Sequence, residues 1–126
     1  MIAPVVHGQA NVTMTITGTV RWGNPGRQTT PQGYNKGAPI HGIDVIAYLT
    51  RGTDVHGLPV VEVLARTKSD ESGRYTLTFS VSVAENYVRV KAVSSWGEGV
   101  HIVPVTFGKL VVDLQVDSGH QDYGDR

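Results

Sequence analysis

The sequence predicts an all-β protein, built as one antiparallel β-sandwich of seven strands. β-Branched residues dominate it, with 20 Val, 12 Thr and 6 Ile, and such residues favour strands over helices. Apolar and polar residues alternate in short segments that are separated by turn residues, which is the pattern of half-buried strands. The length of 126 residues is that of one domain with its own core.

The first strand shows the clearest alternation, from Asn11 to Trp22. Its predicted inward face consists of Val12, Met14, Ile16, Gly18, Val20 and Trp22. Residues 23–39 follow as a long loop rich in Gly and Pro, and a loop of this length in a compact domain is usually either functional or disordered.

Six further segments complete the predicted sandwich. They are Ile43–Arg51, Val60–Thr67, Arg74–Val81, Tyr87–Val93, Val100–Phe107 and Leu110–Asp117. Val60–Thr67 is apolar on both faces, so we expect it to be covered twice. Pro104 cannot donate a ladder hydrogen bond, which predicts an edge strand there. The domain thus spans residues 11–117, with an N-terminal arm (1–10) and a polar C-terminal tail (118–126).

Four segments carry a family resemblance: Gly18–Val20, Gly37–Val45, Thr67–Leu77 and Tyr87–Ala92. Together they resemble the carboxypeptidase regulatory-like domain, a transthyretin-like (prealbumin-like) β-sandwich. The resemblance implies an Ig-like Greek-key architecture and names no reaction. Within it, we expect the Asp70 side chain to cap a turn in which Gly73 supplies a positive φ.

The composition argues against several classes of function. Eleven basic residues balance eleven acidic ones, which does not favour a nucleic-acid binder, and no apolar run is long enough to span a membrane. The absence of cysteine excludes disulfides and thiolate metal sites. The five histidines show no ligand spacing. We therefore expect no enzyme activity, catalytic residue, metal or cofactor.

These observations favour a non-enzymatic structural domain that docks on or builds a larger surface. Only 17% of residues are charged, which suits dense packing of copies. We expect other protein subunits as partners, in a homo-oligomer or a larger assembly, and a virion component (capsid decoration or tail) is the first interpretation. Pro4 interrupts the first apolar run, so we see no signal-peptide pattern, and we expect a virion or cell-exterior surface assembly. The alternative is an extracellular accessory module that binds a glycan or a protein.

Five residues are the candidate interaction residues. Ile2, Val5 and Val6 belong to the apolar arm, which could pair with the sheet edge of a neighbour, so removal of residues 1–10 should leave the fold intact and weaken assembly. Tyr34 lies in the long loop. Trp96 lies in the turn after Val93 and is expected to be exposed, whereas Trp22 is expected in the core.

Overall fold

The computed structural model describes residues 10–23 and 36–118, and in this part every regular element is a β-strand. The strands are β1 (Asn11–Trp22), β2 (Asp44–Thr53), β3 (Pro59–Lys68), β4 (Arg74–Ser82), β5 (Tyr87–Val93), β6 (Gly97–Pro104), β7 (Gly108–Val111) and β8 (Leu114–Ser118). The all-β prediction is confirmed. The same residues contain no helix long and apolar enough to cross a membrane.

The strands form one sheet that folds over on itself around the core. Its order is β3-β2-β5-β6-β8-β1-β4, with β7 added beside β1. The half β3-β2-β5-β6 faces the half around β1, and β4 contacts both β2 and β3 across the interior. The two ends of the sheet order, β3 and β4, are therefore close in space.

Alternating side chains from both halves fill the interior. The fully buried members of largest volume are Met14, Ile16, Leu77, Val20, Val45, Val88, Val90 and Val116. β2, β4 and β5 bury the inward rows that their alternation predicts, and β1 buries Met14, Ile16 and Val20 of its row. Burial of these apolar surfaces is the main stabilising term, at about 25 cal/mol per Å².

The last predicted strand, Leu110–Asp117, is divided in two. β7 ends at Val111 and β8 begins at Leu114. The described residues therefore form eight strands instead of seven. Both β7 and β8 pair with β1 in the parallel sense, so the sheet is not purely antiparallel. The Greek-key connectivity that we predicted is not confirmed by this order.

Gly18 explains where that strand divides. A Cβ atom on Gly18 would lie 1.8 Å from the carbonyl oxygen of Val112, so only glycine lets the backbone of Val112 cross β1 here. The N–H of Val112 donates to the Thr17 carbonyl at 2.7 Å. The glycine that interrupts the apolar row of β1 is thus the point of closest backbone approach.

The turn between β3 and β4 confirms the expected local chemistry. One Asp70 carboxylate oxygen accepts the backbone N–H groups of Ser72 and Arg74, at 2.8 and 2.9 Å. Gly73 has φ +79°. The buried Ser69 hydroxyl donates to the Ile40 carbonyl at 2.6 Å, which fixes the entry to β2. Asp70, Gly73 and Ser69 therefore have a structural role, because they stabilise the turn and the entry to β2.

The prediction for the third strand is wrong. We expected Val60–Thr67 to be covered on both faces, but its first half is exposed on both. The reason is its place at the end of the sheet order, where no described strand is hydrogen-bonded to its other side. For β6, the pairing with β8 involves only its first residues, Gly97 and Glu98, so the part that ends in Pro104 has β5 as its one strand neighbour in the described chain.

Candidate functional site

The outward side chains of β3, β2, β5 and β6 form a continuous surface, which we call the outer sheet face. Strand register places Val63, Tyr48, Arg89 and Ile102 in one cross-strand row. The next row contains Arg66, Ile46, Lys91 and Val100. Apolar residues alternate with cations across this face, although outward positions of a solvated strand are usually polar.

The apolar members at the two sides of this face are exposed. Val61 and Val63 on β3 expose 50% and 46% of their surface, and Val100 and Ile102 on β6 expose 47% and 51%. Between them, Ile46 and Tyr48 are half-buried. Exposed apolar side chains gathered on one face of a folded domain are typical of an interaction surface.

The cations of the outer sheet face are positioned by their neighbours. The Lys91 ammonium lies 5.4 Å from the centre of the Tyr48 ring and 4.0 Å from a Glu98 carboxylate oxygen. The Arg89 guanidinium donates to the Thr50 hydroxyl at 3.0 Å. Arg66 makes no hydrogen bond or ion pair with the described residues. A positive charge is thus available beside apolar surface.

A shallow groove of about 230 Å³ crosses the face where β2, β3 and β5 meet. Its lining is Ile46, Tyr48, Val61, Val63, Arg66 and Lys91. The groove joins apolar walls to two cations, which fits a protein side chain or backbone more readily than a reacting substrate.

The backbone edge of β3 borders this face. β3 is at one end of the sheet order, so the N–H and C=O groups on its outer side have no strand partner in the described chain. Such an edge can accept a further strand.

Arg51 holds the beginning of β3 in place. Its guanidinium donates two hydrogen bonds to one Glu62 oxygen, at 3.0 and 2.8 Å, and one to Glu85 at 2.6 Å. The hydrogen bonds to Glu62 and then to Glu85 raise the pKa of Arg51. The cluster links β2, β3 and the turn after β4.

A second, polar cleft of about 360 Å³ lies where Val112 crosses β1. It is lined by Thr17, Gly18, Thr19, Arg74, Tyr75, Thr76, Val111 and Asp113. Asp113 accepts the Thr19 backbone N–H at 3.0 Å, and the Tyr75 hydroxyl donates to the Val112 carbonyl at 2.5 Å. Burial, and then the charge of Asp113, raise the pKa of Tyr75. The tyrosine is therefore a structural donor at the floor of the cleft.

The predicted interaction residues are mostly outside the described part of the chain. This is the case for Ile2, Val5, Val6 and Tyr34. Trp96 is described, and its ring packs edge-on against Trp22 with 5.0 Å between ring centroids. Both indoles are half-buried, so Trp22 is less enclosed and Trp96 less exposed than the sequence predicts. A role of Trp96 in binding stays a prediction.

The described histidines are dispersed. His41, His56 and His101 are all exposed, and residues 10–23 and 36–118 contain no group of three or more His, Cys, Asp or Glu side chains that could hold a metal ion. This arrangement supplies no metal-ligand set in that part of the molecule.

Sequence reasoning missed the outer sheet face. The signal was present, because Val60–Thr67 is apolar on both faces, but we assigned that pattern to a strand covered twice. Apolar character on both faces fits either a central strand or an edge strand that meets a partner, and alternation alone does not distinguish them.

Comparison with known proteins gives only distant likenesses. No protein-family model and no curated protein matches the chain. Among solved structures, it is similar to a 9R-lipoxygenase from Cyanothece PCC8801, with 14% identity over 78% of this chain and 16% of that one, and a TM-score of 0.41. It is also similar to the shaft pilin SpaA from Lactobacillus rhamnosus GG, with 10% identity over 85% of this chain and 49% of that one, and a TM-score of 0.40.

A double mutant of the same pilin gives 9% identity over 87% of this chain and a TM-score of 0.44. The chain spans about half the length of the pilin and a sixth of the lipoxygenase. At these TM-scores, the likenesses assign neither a family nor a function, and membership of the carboxypeptidase regulatory-like family is not shown.

Proposed function

We propose that this chain is a non-enzymatic assembly domain, which docks on other protein subunits through the outer sheet face. The observation that carries the proposal is the exposed apolar surface of β3 and β6, together with the cations Arg66, Arg89 and Lys91. Keeping such surface in water costs free energy that a protein partner would recover on binding. The cations favour a partner with acidic groups at the border of the contact.

The setting that we propose is the surface of a virion or of another external protein lattice. The net charge of zero and the low fraction of charged residues support close packing, because copies repel one another little. Within the carboxypeptidase regulatory-like resemblance, the domain would serve as a structural module.

The test compares a double substitution on the outer sheet face with a single control substitution elsewhere, both in the full chain. Tagged protein is made in its native cells, large particles are sedimented, and the bound fraction is measured. Changing Val100 and Ile102 to Lys should remove most of the bound fraction. Phe107→Lys, at a ring that is 76% exposed between β6 and β7, should leave it unchanged. Equal binding of all variants, or no association of the wild type with any protein particle, would contradict the proposal.

A second candidate function is favoured by the polar cleft. Its threonine hydroxyls, the Asp113 carboxylate and the Arg74 guanidinium could hold a small polar ligand such as a glycan. The measurement is an amide NMR spectrum of the labelled protein during titration with oligosaccharides. Shifts confined to residues 17–19, 74–76 and 111–113 would support this function, and a spectrum without shifts would count against it.

A further inference from the structure

The outer edge of β3 offers a short window for strand pairing. At one end Pro59 has no N–H to donate. At the other end Leu64 is an extra residue without a partner on β2, which is a β-bulge that interrupts regular pairing. The window Val60–Leu64 between these two features is centred on Glu62.

This window lacks the features that usually protect a sheet edge. Natural edges often carry Lys or an unpaired charge that repels a second strand. Here Val60, Val61 and Val63 are exposed, and the one charge, on Glu62, is bonded to Arg51. No lysine and no unpaired charge in the window repels a second strand.

We propose that β3 pairs antiparallel with β3 of a second copy, about a two-fold axis that passes through Glu62. The inference rests on the proposed assembly function and names one of its interfaces. A window that ends at a proline and at a bulge overlaps completely with itself only in this register. Val61 then lies opposite Val63 of the second copy, and Val60 lies opposite Leu64.

The charges of the two copies fit this register. Arg66 of one copy lies opposite Leu58 of the other, so the cations beyond the bulge do not face each other, and directly opposed like charges would be destabilising. At the axis, two Glu62 carboxylates meet, and each is neutralised by its own Arg51 at 2.8 Å. The net charge of zero adds no long-range repulsion.

A two-fold axis through Glu62 places the outer sheet faces of both copies on the same side of the joined sheet. Residues directly opposite each other in a sheet point to the same face, and this register pairs odd with odd positions. The pairing therefore joins the two outer sheet faces into one surface of eight strands. A partner of the assembly would meet a surface of twice the width.

Cysteine crosslinking tests the register directly, because the chain contains no cysteine. Opposed Cβ atoms in a sheet lie about 4.5–5.5 Å apart, close to the range that a disulfide spans. A mixture of V61C and V63C proteins should form crosslinked dimers under mild oxidation more readily than either protein alone. A mixture of V61C with F107C, whose added thiol is at least as accessible, should not crosslink.

Equal crosslinking of V61C alone and of the V61C–V63C mixture would overturn the register. So would crosslinking in the F107C control mixture, because it would show collision instead of pairing.

Sedimentation equilibrium tests the pairing itself. The wild type should be dimeric at high protein concentration, and V61K/V63K should dimerise at least about tenfold more weakly, because two introduced ammonium groups would oppose each other. F107K should dimerise as the wild type does. Both valines are exposed, so the melting temperature of each variant checks that the fold is intact. The dimer should persist when residues 1–9 are removed. Loss of the dimer on this removal would indicate that the N-terminal arm, and not a second β3, pairs with the β3 edge.

The failure of this inference differs from the failure of the proposed function. A wild type that is monomeric at all concentrations, or a dimer that V61K/V63K leaves unchanged, would overturn the β3 pairing. Particle binding that depends on Val100 and Ile102 would still support the assembly function.

Discussion

The two end strands of the sheet, β3 and β4, use their side chains in opposite ways. β4 alternates strictly between buried and exposed positions, and its exposed residues include Thr76, Thr78 and Ser80. β3 contains more valine, yet its first half is exposed on both faces. The apolar character of β4 is thus explained by its own core, whereas that of β3 is not. The proposed docking of a protein partner on the outer sheet face would account for the exposed valines of β3.

The largest expected difference concerns stability. Leu77→Ala on β4 removes a side chain that is 2% exposed, which should lower the free energy of unfolding by about 2–5 kcal/mol. Val61→Ala on β3 should change it by no more than about 0.5 kcal/mol, because the side chain is half exposed. Urea unfolding followed by tryptophan fluorescence measures both. Equal losses would show that β3 belongs to the core.

A substitution of Tyr75 on β4 should cause a smaller loss of stability. Tyr75→Phe removes the hydrogen bond to the Val112 carbonyl and leaves that buried acceptor without its donor, at a cost of about 1–3 kcal/mol. Tyr87→Phe on β5, at an exposed ring, is the matched control and should be silent. Thermal unfolding compares the two variants. A silent Tyr75→Phe would mean that water replaces the lost donor.

A substitution of Arg51 tests what holds the beginning of β3 in place. Arg51→Met should leave global stability nearly unchanged, because exposed ion pairs contribute little. It should increase amide hydrogen exchange within residues 60–63, since it frees Glu62, and leave exchange in β4 as it is. Arg89→Met, which loses one bond to Thr50, is the control. Unchanged exchange in β3 would show that the ladder with β2 alone holds the strand.

The smallest effect concerns pH at the turn that joins β3 to β4. The backbone N–H groups of Arg74 and then Ser72 hold the pKa of Asp70 below its ordinary value of 3.8. The stabilisation is therefore complete above the unfolded pKa and is lost as the pH falls through the lower, folded value. Asp70→Asn should flatten this part of the stability profile. Glu71→Gln, which replaces a carboxylate without hydrogen bonds to described residues, should not.

The sequence predicted the parts of the fold in which one face is buried. Alternation located β1 and β5 with their observed bounds, and it located β2 and β4 within two residues. It also identified the turn chemistry of Asp70 and Gly73, because that chemistry is local.

What the sequence could not predict depends on the neighbours of each strand. The break at Val112 arises because the backbone crosses β1 at Gly18, a contact between residues about 94 positions apart, and no local pattern encodes it. The exposure of β3 depends likewise on its place in the sheet order. The outer sheet face was missed for the same reason, since it is assembled from four strands that are not all consecutive in sequence.

The parallel pairing of β1 with β7 and β8 has a consequence for how the chain is made. On one of its sides, β1 finds its neighbours only 94 residues further along the sequence, which means a large loop must close before those ladders form. During synthesis, β1 can meet β4 early, but its other side stays open until β7 and β8 leave the ribosome. Folding should therefore be slow for a domain of this size, and nascent chains would depend on protection of that open side.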